Sequence, residues 1–176
     1  MNAQSCQNGR VPFTPFHFGV GVGIHAVAPR KISLISFCAT NVLMDVETLY
    51  YLSRSQFPLH RFFHTFVGVT LVIVVTVVLA AALLRLARRV QLPNPFDWQE
   101  LTLRAVIVGA VLGGYSHVVL DSVMHGEIRP FFPFSDHNPF YAGISLAALH
   151  WTCVIAGAAG LLVLAVREWW SERQET

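Results

Sequence analysis

The sequence has few charged side chains, 12% of its 176 residues against about 25% in a typical soluble domain. Lysine occurs once, at Lys31, and the net charge of +2 comes without a basic stripe, so we expect no nucleic-acid partner. Hydrophobic residues make up 54% of the chain, and the mean hydropathy is +0.53. This composition indicates a membrane protein.

Cysteine is also scarce. Cys6, Cys38 and Cys153 form neither a disulfide framework nor a Cys-x-x-Cys metal site. Residues 1–14 are polar and lack the basic-then-apolar pattern of a signal peptide, so we expect a flexible tail there. A single membrane-embedded helical domain is expected over residues 15–170, followed by a C-terminal tail over 171–176.

Three long apolar segments predict membrane-spanning helices. Residues 66–84 are uncharged and nearly span a bilayer core of about 30 Å at about 1.5 Å per residue. Residues 140–166 are also uncharged. Residues 105–120 turn polar at their far end, and their Gly109-x-x-x-Gly113 pair would let a neighbouring helix approach closely.

Two shorter apolar segments precede them, residues 16–28 and 32–43. We interpret them as two short helices that insert as a hairpin, with a re-entrant or interfacial pair as the alternative. The fold class predicted is therefore all-α, a multi-pass membrane bundle of about five apolar helices.

The distribution of basic residues predicts the orientation of this bundle. If the chain crosses five times, eight basic residues share one side, which the positive-inside rule assigns to the cytoplasm: Arg30, Lys31, Arg85, Arg88, Arg89, Arg104, Arg167 and Arg173. The opposite side then collects most potential metal ligands: His17, Asp45, Glu47, His60, His64, His117, Asp121, His125, Asp136 and His137. We expect a shared site on that outer face of a bacterial inner membrane.

Histidine and carboxylate spacing indicates a metal site. His60 and His64 are four residues apart, as are His117 and Asp121, a spacing that stacks side chains on one helical face. Imidazole and carboxylate ligands suit zinc or a similar divalent ion. His125 lies four residues after Asp121 but next to Gly126, so it could already follow the helix end.

The residues of each motif could have more than one role. The two histidines at 60 and 64 could share a metal, or one could bind the metal while the other hydrogen-bonds a substrate; they could also be interfacial side chains. Asp121 could be a ligand, a bridge between two metals, or a partner that orients His117, and the pair could be purely structural.

The remaining candidates lie earlier in the chain. Asp45 is expected to be a ligand, and His17 is a further candidate. Glu47, two residues after Asp45, is expected on another helical face, as a general base or a solvated residue.

The segments TPFHFGVGVG, NVLMDVE, HRFFHT and GYSHVVLDSVMHGEIRPFFPFS occur in this order. Together they resemble the LexA-regulated inner-membrane metal-dependent hydrolases of the YdjM type, over most of residues 14–135. The chain departs from that pattern at Met44 and Glu47 around the first acid, at Phe63 and Thr65 around the second histidine, and at Phe132, where tryptophan is common.

The order of histidines and aspartates is also distantly similar to zinc-dependent phospholipase C. That resemblance implies one metal site formed by Asp45, His64, His117 and Asp121, with neighbouring metals bound by His17 and His125. The similarity to phospholipase C implies a metal-dependent function only by analogy of sequence pattern.

The expected function is a membrane-bound metal-dependent hydrolase, with zinc as cofactor and a phosphoester or other lipid-linked substrate. Its predicted catalytic residues are Glu47 and His60. The alternative is a non-catalytic membrane protein that binds or senses metal, or that uses its His–Asp pairs structurally. The sequence leaves the substrate, the number of metals and the oligomeric state open.

Overall fold

The computed structural model describes residues 15–174, and over that range the protein is all-helical, as the sequence predicts. The expected N-terminal tail lies outside the described residues. The five α-helices are α1 (Pro15–Val27), α2 (Leu34–Ser53), α3 (Phe66–Val90), α4 (Leu103–Met124) and α5 (Leu146–Glu172), with a 3-10 helix (Pro95–Glu100) between α3 and α4.

Three of these helices, α3, α4 and α5, are long and apolar enough to span a membrane. Much of the surface of α3 and α5 is apolar, with large exposed side chains such as Leu79, Leu83, Ile155 and Leu162. Such a surface is costly in water but favourable against lipid, so it is compatible with a membrane protein. Helix α1 has only 13 residues, about 20 Å of helix, which is shorter than a bilayer core.

Helix α2 is longer than the sequence predicts. The side chain of Ser33 accepts a hydrogen bond from the Ser36 backbone N–H and begins the helix, which then continues to Ser53 rather than ending near residue 43. Asp45 and Glu47 therefore lie inside a helix. The hydropathy pattern missed this extension because these acidic side chains point into the protein instead of marking a helix end.

The last helix also differs at both ends from the prediction. Ser145 caps it and residues 140–145 are not helical, so α5 begins at Leu146. It then runs to Glu172, which places the first two residues of the expected C-terminal tail in the helix.

Contacts between helices give their relative directions. The Ser33 backbone N–H donates to the Ala105 carbonyl oxygen at 3.0 Å, and Asn41 meets His117 further along, so α2 and α4 run in parallel. Helix α3 runs the other way, because its first turns meet the later turns of α4: the hydroxyls of Thr70 and Tyr115 are 2.9 Å apart.

Helix α1 lies parallel to α5, since Gly19 faces Gly157 and Gly23 faces Gly160 one turn later. The beginnings of α1, α3 and α5 therefore meet the ends of α2 and α4. We call this end of the bundle the ligand rim.

The Gly109-x-x-x-Gly113 pair brings α2 and α4 together, as its sequence predicts. A Cβ atom on Gly109 would overlap the Ser33 carbonyl oxygen, and one on Gly113 would lie 2.6 Å from the Phe37 carbonyl oxygen. Only glycine permits this approach. One turn after Gly113, His117 is thereby held against α2.

Candidate metal centre

Asp121, near the end of α4, is the centre of the ligand rim and is fully buried. Its Oδ1 atom lies 3.2 Å from Nε2 of His17 on α1. Its Oδ2 atom lies 3.1 Å from Nε2 of His117 and 3.5 Å from Nε2 of His64. Helices α1 and α4 and the segment before α3 thus bring three imidazoles to one carboxylate.

Two further side chains complete this group. His60 Nε2 lies 3.9 Å from Asp121 Oδ2, and Asp45 Oδ1 on α2 lies 3.4 Å from His117 Nε2. Asp45, His64, His117 and Asp121 each offer a ligand atom, and these four atoms lie within 4.8 Å of one another. We call these four residues the Asp121 cluster; they are a group that could hold a metal ion.

Several of the atoms that face one another at this site have no hydrogen-bond partner. Both carboxylate oxygens of Asp121 are buried without a hydrogen-bond partner, and so are the Nε2 atoms of His60, His64 and His117. Buried polar atoms without partners are rare and costly. The separations of 3.1–3.5 Å agree with the spacing of about 3.4 Å between ligands about 2.1 Å from a tetrahedral zinc ion. The donor set therefore fits a divalent cation.

The opposite nitrogen of His117 is held by Asn41 on α2. The Asn41 Nδ2 donates to the Phe37 carbonyl oxygen at 2.8 Å, which fixes the amide and leaves its Oδ1 facing His117 Nδ1, also at 2.8 Å. Since an amide oxygen can only accept, His117 carries a proton on Nδ1, which leaves Nε2 as the nitrogen that can offer a lone pair to a metal. A metal-binding imidazole needs this tautomer.

Carboxylates hold the two other rings in the same way. His64 Nδ1 lies 3.4 Å from Glu47 Oε2, and His60 Nδ1 lies 3.0 Å from Glu127 Oε1. Three imidazoles therefore each have an oxygen acceptor behind Nδ1 and present Nε2 towards Asp121. This arrangement of ligand and supporting acceptor is typical of metal sites.

Glu47 is neither solvated nor remote from the cluster. Its Oε2 atom also accepts hydrogen bonds from the backbone N–H groups of Arg61 and Phe63, at 3.2 and 2.9 Å. Asp45 contacts His117, whereas Glu47 contacts His64, so both acids lie at the ligand rim. Glu47 ties α2 to the segment that carries His60 and His64.

That segment is not helical, which corrects the expected helical stacking of His60 and His64. The helix α3 begins only at Phe66, after Thr65 accepts a hydrogen bond from the Gly68 backbone N–H at 2.8 Å. The two rings still meet, with centroids 4.6 Å apart. Bends and turns after Pro58 bring the two rings together. The prediction that His60 and His64 lie close together is therefore correct, but the helical stacking on which it was based is wrong.

A second, smaller group adjoins the Asp121 cluster. His60, His125 and Glu127 offer ligand atoms within 4.8 Å of one another, and this group is also able to hold an ion. His125 follows the last residue of α4 with extended backbone angles, so it lies past the helix end, as its position before Gly126 indicated. Its Nδ1 is 3.7 Å from Glu127 Oε1.

Burial sets the protonation of the groups outside the helices. Desolvation lowers the pKa of His64, and the hydrogen bond to Glu47 only partly opposes it. Desolvation also lowers the pKa of His125. For Glu127, desolvation acts to raise the pKa, but the hydrogen bonds from His60 and from the Glu127 backbone N–H, together with the charges of His125 and His60, outweigh it, and the pKa is lowered. Neutral imidazoles beside an ionised carboxylate are the forms that bind a metal.

Sequence reasoning missed Glu127 and the role of Asn41. Glu127 lies two residues after His125 and belongs to a Pro- and aromatic-rich segment, where it was not distinguished from loop residues. Asn41 lies four residues before Asp45, and its helical spacing to that acid was the available signal.

Other polar candidates lie away from the cluster. Asp136 forms an exposed ion pair with Arg129 at 2.9 Å, and His137 is exposed. His25 contacts the Ile32 carbonyl oxygen at 2.7 Å, and the ring of His150 stacks on Phe16.

Comparisons with protein-family models, with curated proteins and with solved structures found no match for this chain.

Proposed function

We propose that this protein is a membrane-bound metal-dependent hydrolase. The observation that carries the proposal is the convergence of the Nε2 atoms of His60, His64 and His117 on the buried Asp121 carboxylate, none of these three atoms in a hydrogen bond. A structural His–Asp pair would use these atoms in hydrogen bonds, whereas a cation would engage all of them at once. The resemblance to the inner-membrane hydrolases and to zinc phospholipase C points in the same direction.

Zinc is the proposed metal, because neutral imidazoles and carboxylates are its usual ligands beside cysteine. His64, His117, Asp45 and Asp121 would hold it, and His60 is positioned to join them. A bound zinc supplies a Lewis acid and a water whose pKa falls to about 7.

The ligand rim is proposed to face the outside of a bacterial inner membrane. Basic residues at the opposite end of the bundle support this orientation, since Arg30 and Lys31 follow α1, and Arg85, Arg88 and Arg89 lie near the end of α3. A site at the depth of lipid headgroups meets headgroups first. The proposed substrate is therefore a phosphoester in a lipid or a lipid-linked molecule.

Purified, zinc-loaded protein should hydrolyse a member of a panel of phosphomonoesters, phosphodiesters and carboxylic esters presented in mixed micelles. His117→Ala should lose the activity, because it removes a ligand, and the matched variant His137→Ala should retain it, because His137 is exposed and belongs to neither group of potential ligands. Protein that holds stoichiometric metal but is inert towards the whole panel would contradict the hydrolase proposal and favour a metal sensor.

Glu47→Gln separates two roles for this side chain. The contacts with His64 and with two backbone N–H groups support an orienting role, for which we expect zinc affinity to fall about 10–100-fold. The general-base role stays a prediction, under which zinc affinity would be unchanged and kcat would fall about 10²–10⁴-fold. Zinc titration and steady-state kinetics on the same preparation measure both quantities. Glu100→Gln, at the opposite end of the bundle, is the control.

A further inference from the structure

A cavity of about 500 Å³ opens beside the metal centre at the ligand rim. His60 and Glu127 form the wall that the cavity shares with the cluster, and His60 is only 2% exposed. The rest of the lining combines two arginines with aromatic and small residues: Phe57, Pro58, Arg61, Phe62, Thr65, Arg129 and Phe132. The lining is thus cationic in one part and apolar in another.

The two arginines carry the charge of the cavity. The Arg61 Nε donates to the Pro58 carbonyl oxygen at 3.0 Å, and its guanidinium lies 3.7 Å from the ring centre of Tyr51, so its plane is fixed. Arg129 pairs with Asp136, but both side chains are more than half exposed. Such a pair is weak, and an incoming anion can replace Asp136.

The only acid in the lining is already engaged, since Glu127 contacts His60 and His125. The lining itself holds two arginines and one carboxylate, and Asp136 pairs with Arg129 from outside the lining, so Arg61 and, once Asp136 is displaced, Arg129 are available to an anion. Guanidinium groups bind phosphate oxygens with directed, charge-assisted hydrogen bonds. A phosphate held by the two arginines would lie next to His60, and the Nε2 atom of His60 faces Asp121.

The apolar part of the lining faces outwards. Phe57, Phe62 and Phe132 are 65%, 42% and 43% exposed, which is costly in water but suits contact with acyl chains or the membrane interface. These rings lie beside the arginines, so a ligand that uses both parts must be amphipathic.

We propose that this cavity binds the phosphate ester of an apolar chain, and that Arg61 and Arg129 are the specificity-determining residues for its phosphate. This inference rests on the proposed hydrolase function and defines its substrate class. Binding places the ester next to the metal centre while the chain lies along the exposed phenylalanines.

Binding to the zinc-loaded protein in detergent can be tested by native mass spectrometry with three probes. They are a non-hydrolysable phosphonate analogue of phosphatidic acid, diacylglycerol, which lacks the phosphate, and glycerol 3-phosphate, which lacks the chains. We expect the phosphonate lipid to bind at least about tenfold more tightly than either other probe, because both parts of the cavity are used. Equal binding of diacylglycerol would overturn the phosphate assignment, and equal binding of glycerol 3-phosphate would overturn the apolar-chain assignment.

Arg61→Gln and Arg129→Gln should each weaken phosphonate binding about tenfold or more without loss of zinc. Arg54→Gln is the matched control, because Arg54 also lies over a tyrosine ring at this rim but does not line the cavity. If both variants bind the lipid like Arg54→Gln, the inference is wrong even where the enzyme hydrolyses phosphoesters. Arginine-dependent binding by a protein without hydrolase activity would uphold the inference and remove the proposed function.

Discussion

Asp121→Asn should lose almost all bound zinc, with affinity falling by roughly 100-fold or more, above the range for residues that only support ligands. The substitution keeps the size of the side chain but removes its charge. It also places an amide NH₂ or oxygen among imidazole nitrogens that approach to 3.1 and 3.5 Å. The nitrogens come from separate segments of the chain, and the Asp121 carboxylate is the group that they all face. A single substitution at Asp121 therefore removes the partner that they share.

Metal content by mass spectrometry, after dialysis against a buffered zinc concentration, measures this effect. Asp136→Asn is the control, since that carboxylate is 72% exposed and bonded to Arg129. The thermal unfolding of Asp121→Asn should be recorded in the same detergent to show that it is folded. Folded Asp121→Asn with a full complement of zinc would show that the ion is held elsewhere.

The same geometry shows what the sequence could and could not predict. Apolar segments of sufficient length predict α3, α4 and α5, because helix length and bilayer thickness are physically linked. Residues four apart on a true helix, His117 and Asp121, also meet as their spacing predicts. Each of these predictions depends on one segment alone.

Properties that depend on two segments could not be predicted in the same way. His60 and His64 meet through a non-helical turn, and the tautomer of His64 depends on Glu47, which comes from another helix. Glu127 reaches His60 across 67 positions of sequence. Pairings of this kind depend on how separate segments of the chain pack against one another, and no local pattern reports them.

Removal of zinc should lower the thermal midpoint of the wild-type protein, and its return should raise it. Without a cation, the buried carboxylate of Asp121 and the lone pairs of three imidazoles face one another with no hydrogen bonds, an arrangement that destabilises the folded state. At a free zinc concentration 100 times Kd, binding stabilises the folded state by about 2.7 kcal/mol. That corresponds to roughly 5–10 °C for a chain of this size.

The measurement is a melting curve in detergent after chelation, repeated with added zinc and with added magnesium. Magnesium should have little effect, since it prefers oxygen ligands and this cluster is rich in imidazole. His117→Ala should melt at one temperature whether or not zinc is present, which ties the shift to the cluster. A wild-type midpoint that neither chelator nor zinc moves would mean that protonated imidazoles, paired with Asp45 and Asp121, hold the rim together. In that case the four residues stabilise the bundle as ion pairs, and the hydrolase proposal loses the observation that carries it.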